Sequence, residues 1–262
     1  MSAIRSGGVI AAGEGSRLKA LGVPKPLVPV AGEPLIAHVL GNFEAAGVAS
    51  AAVIFNEAGR AAATLVRERF GRLVSKIVVK STHSSLESFR EILEAAPRGR
   101  LLVSTVDAFC LREDFVRFVR RAEEKPSGAT VLAVTRHVND EKPLWVTIAA
   151  GERRAGGTGG HGPAASPEEL ARSGRVTVVG GASGDAVTAG IYVFPEKVRT
   201  LGIPAGLGRL RDFLAWLAKS DEPVEAVEIS KVVDVDRAED LAEAEELFSL
   251  SLRETDGVRE GL

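Results

Sequence analysis

Sulfur and aromatic side chains are scarce in this chain. Its 262 residues include one cysteine, one methionine, one tyrosine and two tryptophans. Cys110 alone cannot close an internal disulfide, and no Cys/His cluster has zinc-site spacing, so a reducing, cytoplasmic setting is expected. Aromatic residues make up 5% of the chain, which argues against the stacking platforms of single-strand binders. An excess of charge is lacking too. There are 33 basic and 35 acidic residues and a net charge of -2, so no bulk pull toward nucleic acid or an anionic membrane exists. Any anion must be bound locally. No apolar run approaches the roughly 20 residues of a membrane helix. The opening MSAIRSGG has no apolar core of the kind a signal peptide carries. Neither nucleic acid nor membrane is expected as a partner; the oligomeric state is left open.

Hydrophobic residues are plentiful, at 45%, enough for a sizeable core. Short β-rich runs alternate with helical patterns. Strands are expected at Ala3 to Ala11, Ala51 to Phe55, Lys76 to Val79, Leu101 to Val106 and Thr130 to Thr135. Between them, Leu35, Ile36, Val39, Leu40 and Phe43 recur at helix spacing, as do Leu65, Val66 and Phe70, then Leu86, Phe89, Ile92 and Leu93, then Phe115, Phe118 and Val119. This alternation predicts an α/β fold: a Rossmann-like, mostly parallel mixed sheet with helices on both faces. After about residue 130 the pattern changes. Pro143 to Ala149, Arg175 to Val179 and Val187 to Phe194 read as strands of an antiparallel extension, followed by helices at Arg209 to Ala218 and Ala238 to Leu250. Gly151 to Ser166 is glycine-rich and reads as a loop. One domain is expected over residues 1–252, with a polar, fraying tail at 253–262.

The most informative stretch is GGVIAAGEGSRLKALGVPKPLVPVAGEPLI, residues 7–36. An apolar strand ends in Ala11, Ala12, Gly13, Glu14, Gly15, Ser16 and Arg17, and then Lys25 stands between Pro24 and Pro26. Ligands of open parallel sheets bind beyond the carboxyl ends of the strands, where this loop lies. Glycines let backbone N–H groups point into one concavity suited to phosphate. Two familiar loops do not fit. A P-loop ends in Gly-Lys-Ser/Thr, which is missing. A dinucleotide fingerprint needs a third glycine where Leu18 stands.

The order Ala11-Ala12-Gly13-Glu14-Gly15-Ser16-Arg17-Leu18, then Pro24-Lys25-Pro26-Leu27 and Pro29-Val30-Ala31-Gly32-Glu33-Pro34-Leu35-Ile36, resembles the signature of the sugar-phosphate nucleotidyltransferase family. In style it is nearest to the inositol-phosphate and phosphocholine cytidylyltransferases. The resemblance implies that two polyanions meet here, so the chemistry is positioning and charge neutralisation. The amides of Gly13 to Arg17 would then cradle a triphosphate, Arg17 would contact its outer phosphates, and Lys25 would face the α-phosphate. The flanking prolines restrict the backbone that aims this lysine.

Triphosphate chemistry usually needs Mg²⁺, held by few carboxylates. Asp107 is the first charge after the strand Leu101 to Val106, on the same rim as the loop. The family carries an aspartate there as a metal ligand, so Asp107 is expected at both metal and nucleotide. Val232-Val233-Asp234-Val235-Asp236-Arg237-Ala238-Glu239-Asp240-Leu241 resembles the family's late Asp-Thr-Pro-Glu-Asp-Leu-like run. In register Asp236 takes the ligand position, with Asp234 as the fallback. A capping box between Asp236 and Glu239 is compatible with that role.

The base-facing segment should be Ser81 to Ser88, with Thr82, Ser84 and Ser85 as nucleotide contacts; Ser84 and Glu87 also read as a capping box. Acceptor contacts are expected from Thr188 and Gly190, in a Gly-Ile-Tyr triplet typical of the family, and from Lys142. Arg153, Arg154 and His161 lie in the glycine-rich loop, read as solvated. Cys110, Trp145 and Trp216 read as packing residues, and His38 and His137 show no partner in sequence.

The resemblance implies a Mg²⁺-dependent nucleotidyltransferase joining an NTP (CTP or UTP favoured) to a small phosphorylated alcohol, with release of pyrophosphate. Inositol phosphate, a sugar 1-phosphate and phosphocholine are the candidate acceptors. The alternatives are a molybdenum-cofactor nucleotidyltransferase and a non-catalytic nucleotide-binding regulator on the same fold.

Overall fold

A computed structural model describes residues 3–138, 141–149 and 173–259. The glycine-rich stretch with Arg153, Arg154 and His161 lies outside the described residues. Among the described residues no helix is long and apolar enough to cross a membrane.

The first half alternates as its sequence pattern predicts. Strands β1 (Ser6–Ala11), β4 (Ser50–Phe55), β5 (Val74–Val79) and β6 (Leu101–Thr105) are joined through helices α1 (Leu35–Ala45), α2 (Arg60–Phe70) and α3 (Ser85–Ala95). A small hairpin, β2 (Pro29–Val30) with β3 (Glu33–Pro34), precedes α1. Every residue of β1 is buried, as expected of a central strand covered on both faces. Next come β7 (Ala108–Phe109), α4 (Arg112–Glu124) and β8 (Thr130–Thr135). The last part adds β9 (Trp145–Ile148), β10 (Ser173–Val179), β11 (Ala186–Phe194), α5 (Leu210–Lys219), β12 (Val224–Glu228), β13 (Val233–Asp234) and α6 (Ala238–Arg259).

Among the described residues, nine strands form one sheet in the order β5-β4-β1-β6-β11-β8-β12-β10-β9. The strands β5, β4, β1 and β6 run parallel. The antiparallel extension is not confined to an edge: β11 lies at the centre, antiparallel to both β6 and β8, while β9 and β10 form the far edge. The pairing of β11 with β8 shifts register between Thr188 and Tyr192, and the start of β11 also pairs with β9. Strand β12, parallel to β8, has no counterpart in the sequence reading. Its sequence VEAVE carries two glutamates in five residues, which hides a buried strand.

Two apolar layers sandwich the sheet. One buries Phe43, Phe115 and Phe118 with residues of α1, α2, α4 and α6. The other centres on Phe89, whose ring lies 4.7 Å from Phe194 and 5.8 Å from Phe213. Trp216 stacks on Phe213 at 5.8 Å, a packing role as expected. Cys110 is buried, and burial with nearby Asp114 pushes its thiol well above the ordinary range, so it is no nucleophile. Helix α6 runs on to Arg259, into the polar tail that begins at Arg253.

Phe89 is fully buried between α3, β11 and α5. Phe89→Ala should lower the unfolding free energy by about 3–5 kcal/mol, measured by urea denaturation, through lost burial and the cavity left behind.

Candidate active site

The loop after β1 turns back on Lys25. Gly15 has φ +56°, and a Cβ there would lie 2.7 Å from Lys25 Cβ, so only glycine lets the loop settle on this stem. Leu18, 2% exposed, anchors the following turn in the core, and its N–H donates to the Gly15 carbonyl at 3.0 Å. The Pro24-Lys25-Pro26 segment is a short 3-10 turn, closed by the N–H of Leu27 donating to the Pro24 carbonyl (2.8 Å) and that of Val28 to the Lys25 carbonyl (3.1 Å). The prolines fix the backbone, and Lys25 points inward, only 6% exposed.

Its ammonium lies between two carboxylates, 2.5 Å from Asp107 Oδ2 and hydrogen-bonded to Asp236 Oδ1. Burial alone would depress the lysine; the charges of Asp107 and Asp236 outweigh it and hold Lys25 above its ordinary range. Burial likewise opposes ionisation of Asp107, but Lys25 and the Thr105 hydroxyl hold it below the usual carboxylate range.

The carboxylates arrive from distant parts of the chain. Asp107 occupies the turn between β6 and β7. Strand β7 pairs antiparallel with β13, Asp234 opposite Ala108, and the N–H of Val235 donates to the Asp107 carbonyl at 3.0 Å. This two-stranded ribbon brings Asp107, Asp234 and Asp236 together, one oxygen of each within 4.8 Å of the others. Asp234, the fallback in sequence, therefore lies beside Asp236 in the same cluster. Hard oxygen donors in this number fit Mg²⁺. The helix start behind them is capped by Asp240, not Glu239: its Oδ2 accepts the N–H of Asp236 at 3.0 Å and of Arg237 at 2.8 Å.

Arg17 sits at the mouth, half exposed, 3.8 Å from Asp236 and 3.1 Å from Glu141. Glu141 also meets Arg237 at 3.2 Å, so it ties the two arginines together; neither Glu141 nor Arg237 was given a role from sequence.

Two concavities belong to these segments, one beside the glycine loop and one lined in part by Asp107 and Asp234. A crevice of about 290 Å³ beside the glycine loop is lined by Ala12, Glu14, Asn56, Glu57, Ser81 and Thr82. Asn56 fixes the loop from the far side: its amide donates to the carbonyls of Ala12 (3.2 Å) and Gly13 (3.1 Å), while Oδ1 accepts the N–H of Gly59 at 3.0 Å. An asparagine directly after a strand that neighbours β1 is the signal that could have revealed it.

The second cavity, about 210 Å³, is walled by β6, β11 and α5, with Thr105, Asp107, Thr188, Gly190, Tyr192, Arg211 and Asp234 in its lining. Gly190 has φ +71°, and a Cβ there would lie 2.7 Å from Thr105 Oγ1, so the glycine serves the backbone and the β6 contact. Burial pushes Tyr192 up to about 12, which keeps its hydroxyl protonated at neutral pH.

Three expected contacts differ in position. Ser84 Oγ accepts the Glu87 N–H at 3.2 Å, and a Glu87 oxygen accepts the His83 N–H at 2.8 Å, so Ser84 caps α3. Ser85 lines the second cavity and accepts the N–H of Leu210 at 3.1 Å, on the opposite side from the glycine loop's crevice. Lys142 reaches that region through its carbonyl, which accepts from Arg211 at 3.1 Å, and Arg211 is the guanidinium in the lining. Arg211 lay unmarked in an ordinary amphipathic helix.

This fold and rim define a nucleotidyltransferase-type α/β protein. The MobA-like NTP transferase domain matches residues 7–166, more than half of the chain, and the chain belongs to that family. The fold is also that of the inositol-1-phosphate CTP transferase of T. maritima, at 18% identity and TM-score 0.75 over 95% of this chain and 96% of that one. A putative glucose-1-phosphate thymidylyltransferase from Bacillus anthracis superposes with TM-score 0.70 at 16% identity, over 92% of this chain and 94% of that one. The CMP-5'-(3-aminopropyl)phosphonate synthase of Streptomyces rubellomurinus is 34% identical over 86 residues, 32% of this chain and 14% of that relative's length.

Removing Lys25 leaves Asp107, Asp234 and Asp236 facing one another. We expect Lys25→Met to lower stability in EDTA by roughly 2–3 kcal/mol, less than a fully buried pair because Asp236 is 40% exposed, with recovery on adding Mg²⁺. The raised lysine contributes below about pH 10 and loses its effect as pH rises through its folded value; the depressed Asp107 contributes above about pH 4 and loses its effect as pH falls. The gap in thermal midpoint between wild type and variant should therefore be flat across neutral pH and shrink in acid.

Proposed function

We propose that this chain is a nucleotidyltransferase that joins an NTP, with CTP or UTP favoured, to a small phosphorylated alcohol and releases pyrophosphate. The observation that carries this reading is the cluster of Lys25, Arg17 and three aspartates, with a crevice beside the glycine loop and a cavity lined by Asp107 and Asp234. The crevice beside the glycine loop would take the nucleoside, and the cavity under β11 the acceptor. An acceptor phosphate oxygen attacks the α-phosphorus in line; the bond to the β-phosphate oxygen breaks, and pyrophosphate leaves with that electron pair.

The protein's own part is positioning and charge. Backbone amides from Gly13 to Arg17 would hold the triphosphate, Arg17 its outer oxygens, and Lys25 the α-phosphate, where charge builds. Asp107 and Asp236, with Asp234 beside them, would hold Mg²⁺, which when bound neutralises phosphate charge. Thr188, Gly190, Ser85 and Arg211 would face the acceptor, with Lys142 at its rim. Likeness to the inositol-1-phosphate CTP transferase and the CMP-5'-(3-aminopropyl)phosphonate synthase supports a cytidylyl donor and a small acceptor. The family match leaves a second reading open, a molybdenum-cofactor nucleotidyltransferase with a larger acceptor. A non-catalytic regulator is disfavoured, since Arg17, Lys25, Asp107 and Asp236 are all retained.

The test is pyrophosphate release with Mg²⁺ across five NTPs crossed with inositol, sugar, choline and aminoalkyl phosphates and phosphonates. Release should require one nucleotide and one acceptor together. Lys25→Ala and Asp107→Ala should each lower kcat/KM by about 10²–10³-fold. Unchanged turnover in both variants would overturn the site assignment.

A further inference from the structure

The Lys25 ammonium sits inside the aspartate cluster as a cation in its own right. It is bonded to Asp107 Oδ2 at 2.5 Å and to Asp236 Oδ1, two of the three carboxylates that would hold Mg²⁺. One oxygen each of Asp107, Asp234 and Asp236 lies within 4.8 Å of the others, so an ion they share lies next to that ammonium. Like charges so close repel strongly where water is largely excluded. A surface lysine would swing aside at little cost. Lys25 has no such freedom. Its side chain is 5% exposed and its backbone is fixed between Pro24 and Pro26. Its stem lies against Gly15, where an added Cβ would be 3.3 Å from Lys25 Cδ. An ammonium pulled from both carboxylates and left buried needs another anion. The glycine loop resting on this stem is the segment read above as the phosphate cradle.

We propose that Lys25 and the divalent ion compete for Asp107 and Asp236, so that metal is held tightly only once a phosphate on the glycine loop has drawn the ammonium away. This rests on the readings of the aspartates as a metal site and of the loop as a phosphate site, and it couples the two. Metal alone binds weakly. Nucleotide and metal each strengthen the other, by the same factor in both directions. Arg17 supplies the comparison. It lies 3.8 Å from Asp236 and is half exposed, so it adds charge to the same cluster without sitting between two carboxylates.

The experiment counts free Mn²⁺, an oxygen-seeking octahedral probe for Mg²⁺, by its paramagnetic resonance signal as the full chain is titrated. Lys25→Met should bind Mn²⁺ alone about tenfold or more tightly than wild type, while Arg17→Met stays within about threefold. Asp236→Asn added to Lys25→Met should abolish the gain. CMP and UMP carry the single phosphate that Lys25 would face, and their own binding is followed by calorimetry. At saturation they should tighten Mn²⁺ about tenfold in wild type and much less in Lys25→Met. The wild-type titrations stand by themselves if Lys25→Met is too unstable to use. Equal Mn²⁺ affinity in wild type and Lys25→Met, or an equal gain from Arg17→Met, would overturn the competition and leave the metal site standing. So would a nucleotide that binds wild type without changing its Mn²⁺ affinity. Failure of every protein to bind Mn²⁺ would overturn the metal-site reading, and failure of both nucleotides to bind would overturn that of the glycine loop; the proposal falls with either.

Discussion

A buried ammonium held by two carboxylates is the interaction around which this rim is organised. A lysine as enclosed as Lys25 is costly unless opposite charges meet it. Asp107 and Asp236 meet it, and both come from parts of the chain far from residue 25. Holding them there requires the β7–β13 ribbon, the turn after β6 and the Asp240 cap. Holding the lysine requires its two prolines and the absence of a side chain at Gly15. The glycine loop, the proline turn and the late aspartate run are thus one electrostatic unit assembled from three sequence segments.

Much of this was legible in the sequence, for identifiable reasons. Each of β1, β4, β5, β6 and β8 is a short apolar run, and α1 to α4 carry clear helical periodicity, so the α/β class followed from pattern alone. The glycine loop and Lys25 stood out because their chemistry is local. Pairings between distant strands did not. Nothing in Val187 to Phe194 says that β11 enters the sheet between β6 and β8, since strand order is a tertiary property. Strand β12 was hidden by its two glutamates, one on each face, which pair with Lys125 and Arg136. Arg211, Glu141 and Asn56 act through geometry that only the folded chain supplies, and each looks ordinary in its own neighbourhood. Ser84 and Ser85 show the reverse: both are polar and well placed in sequence, yet adjacent residues on a helix start face different ways, one to its own cap and one to α5.

The two sides of the rim differ in kind. The glycine-loop side is made of loops that follow parallel strands, and its shape is set by backbone and by hydrogen bonds among small polar residues. The other side is made of the irregular start of β11 and the first turn of α5, and its shape is set by side chains such as Tyr192 and Arg211. A cavity built from side chains can change its occupant by substitution without disturbing the loop that precedes Lys25. The family match, which runs over residues 7–166, covers the loop side and stops before β11.

The central position of β11 also bears on how the chain reaches its native state. Strand β8 is hydrogen-bonded on one side by β11 and on the other by β12, and both lie beyond residue 166. While only the first half is out of the ribosome, β1, β4, β5 and β6 can pair with one another, but β8 has neither neighbour and β6 has one open edge. Unpaired apolar edges invite the wrong partner. The edges of β6 and β8 that face each other's side of the sheet gain their partner only once Phe194 has emerged, and the second edge of β8 only once Glu228 has.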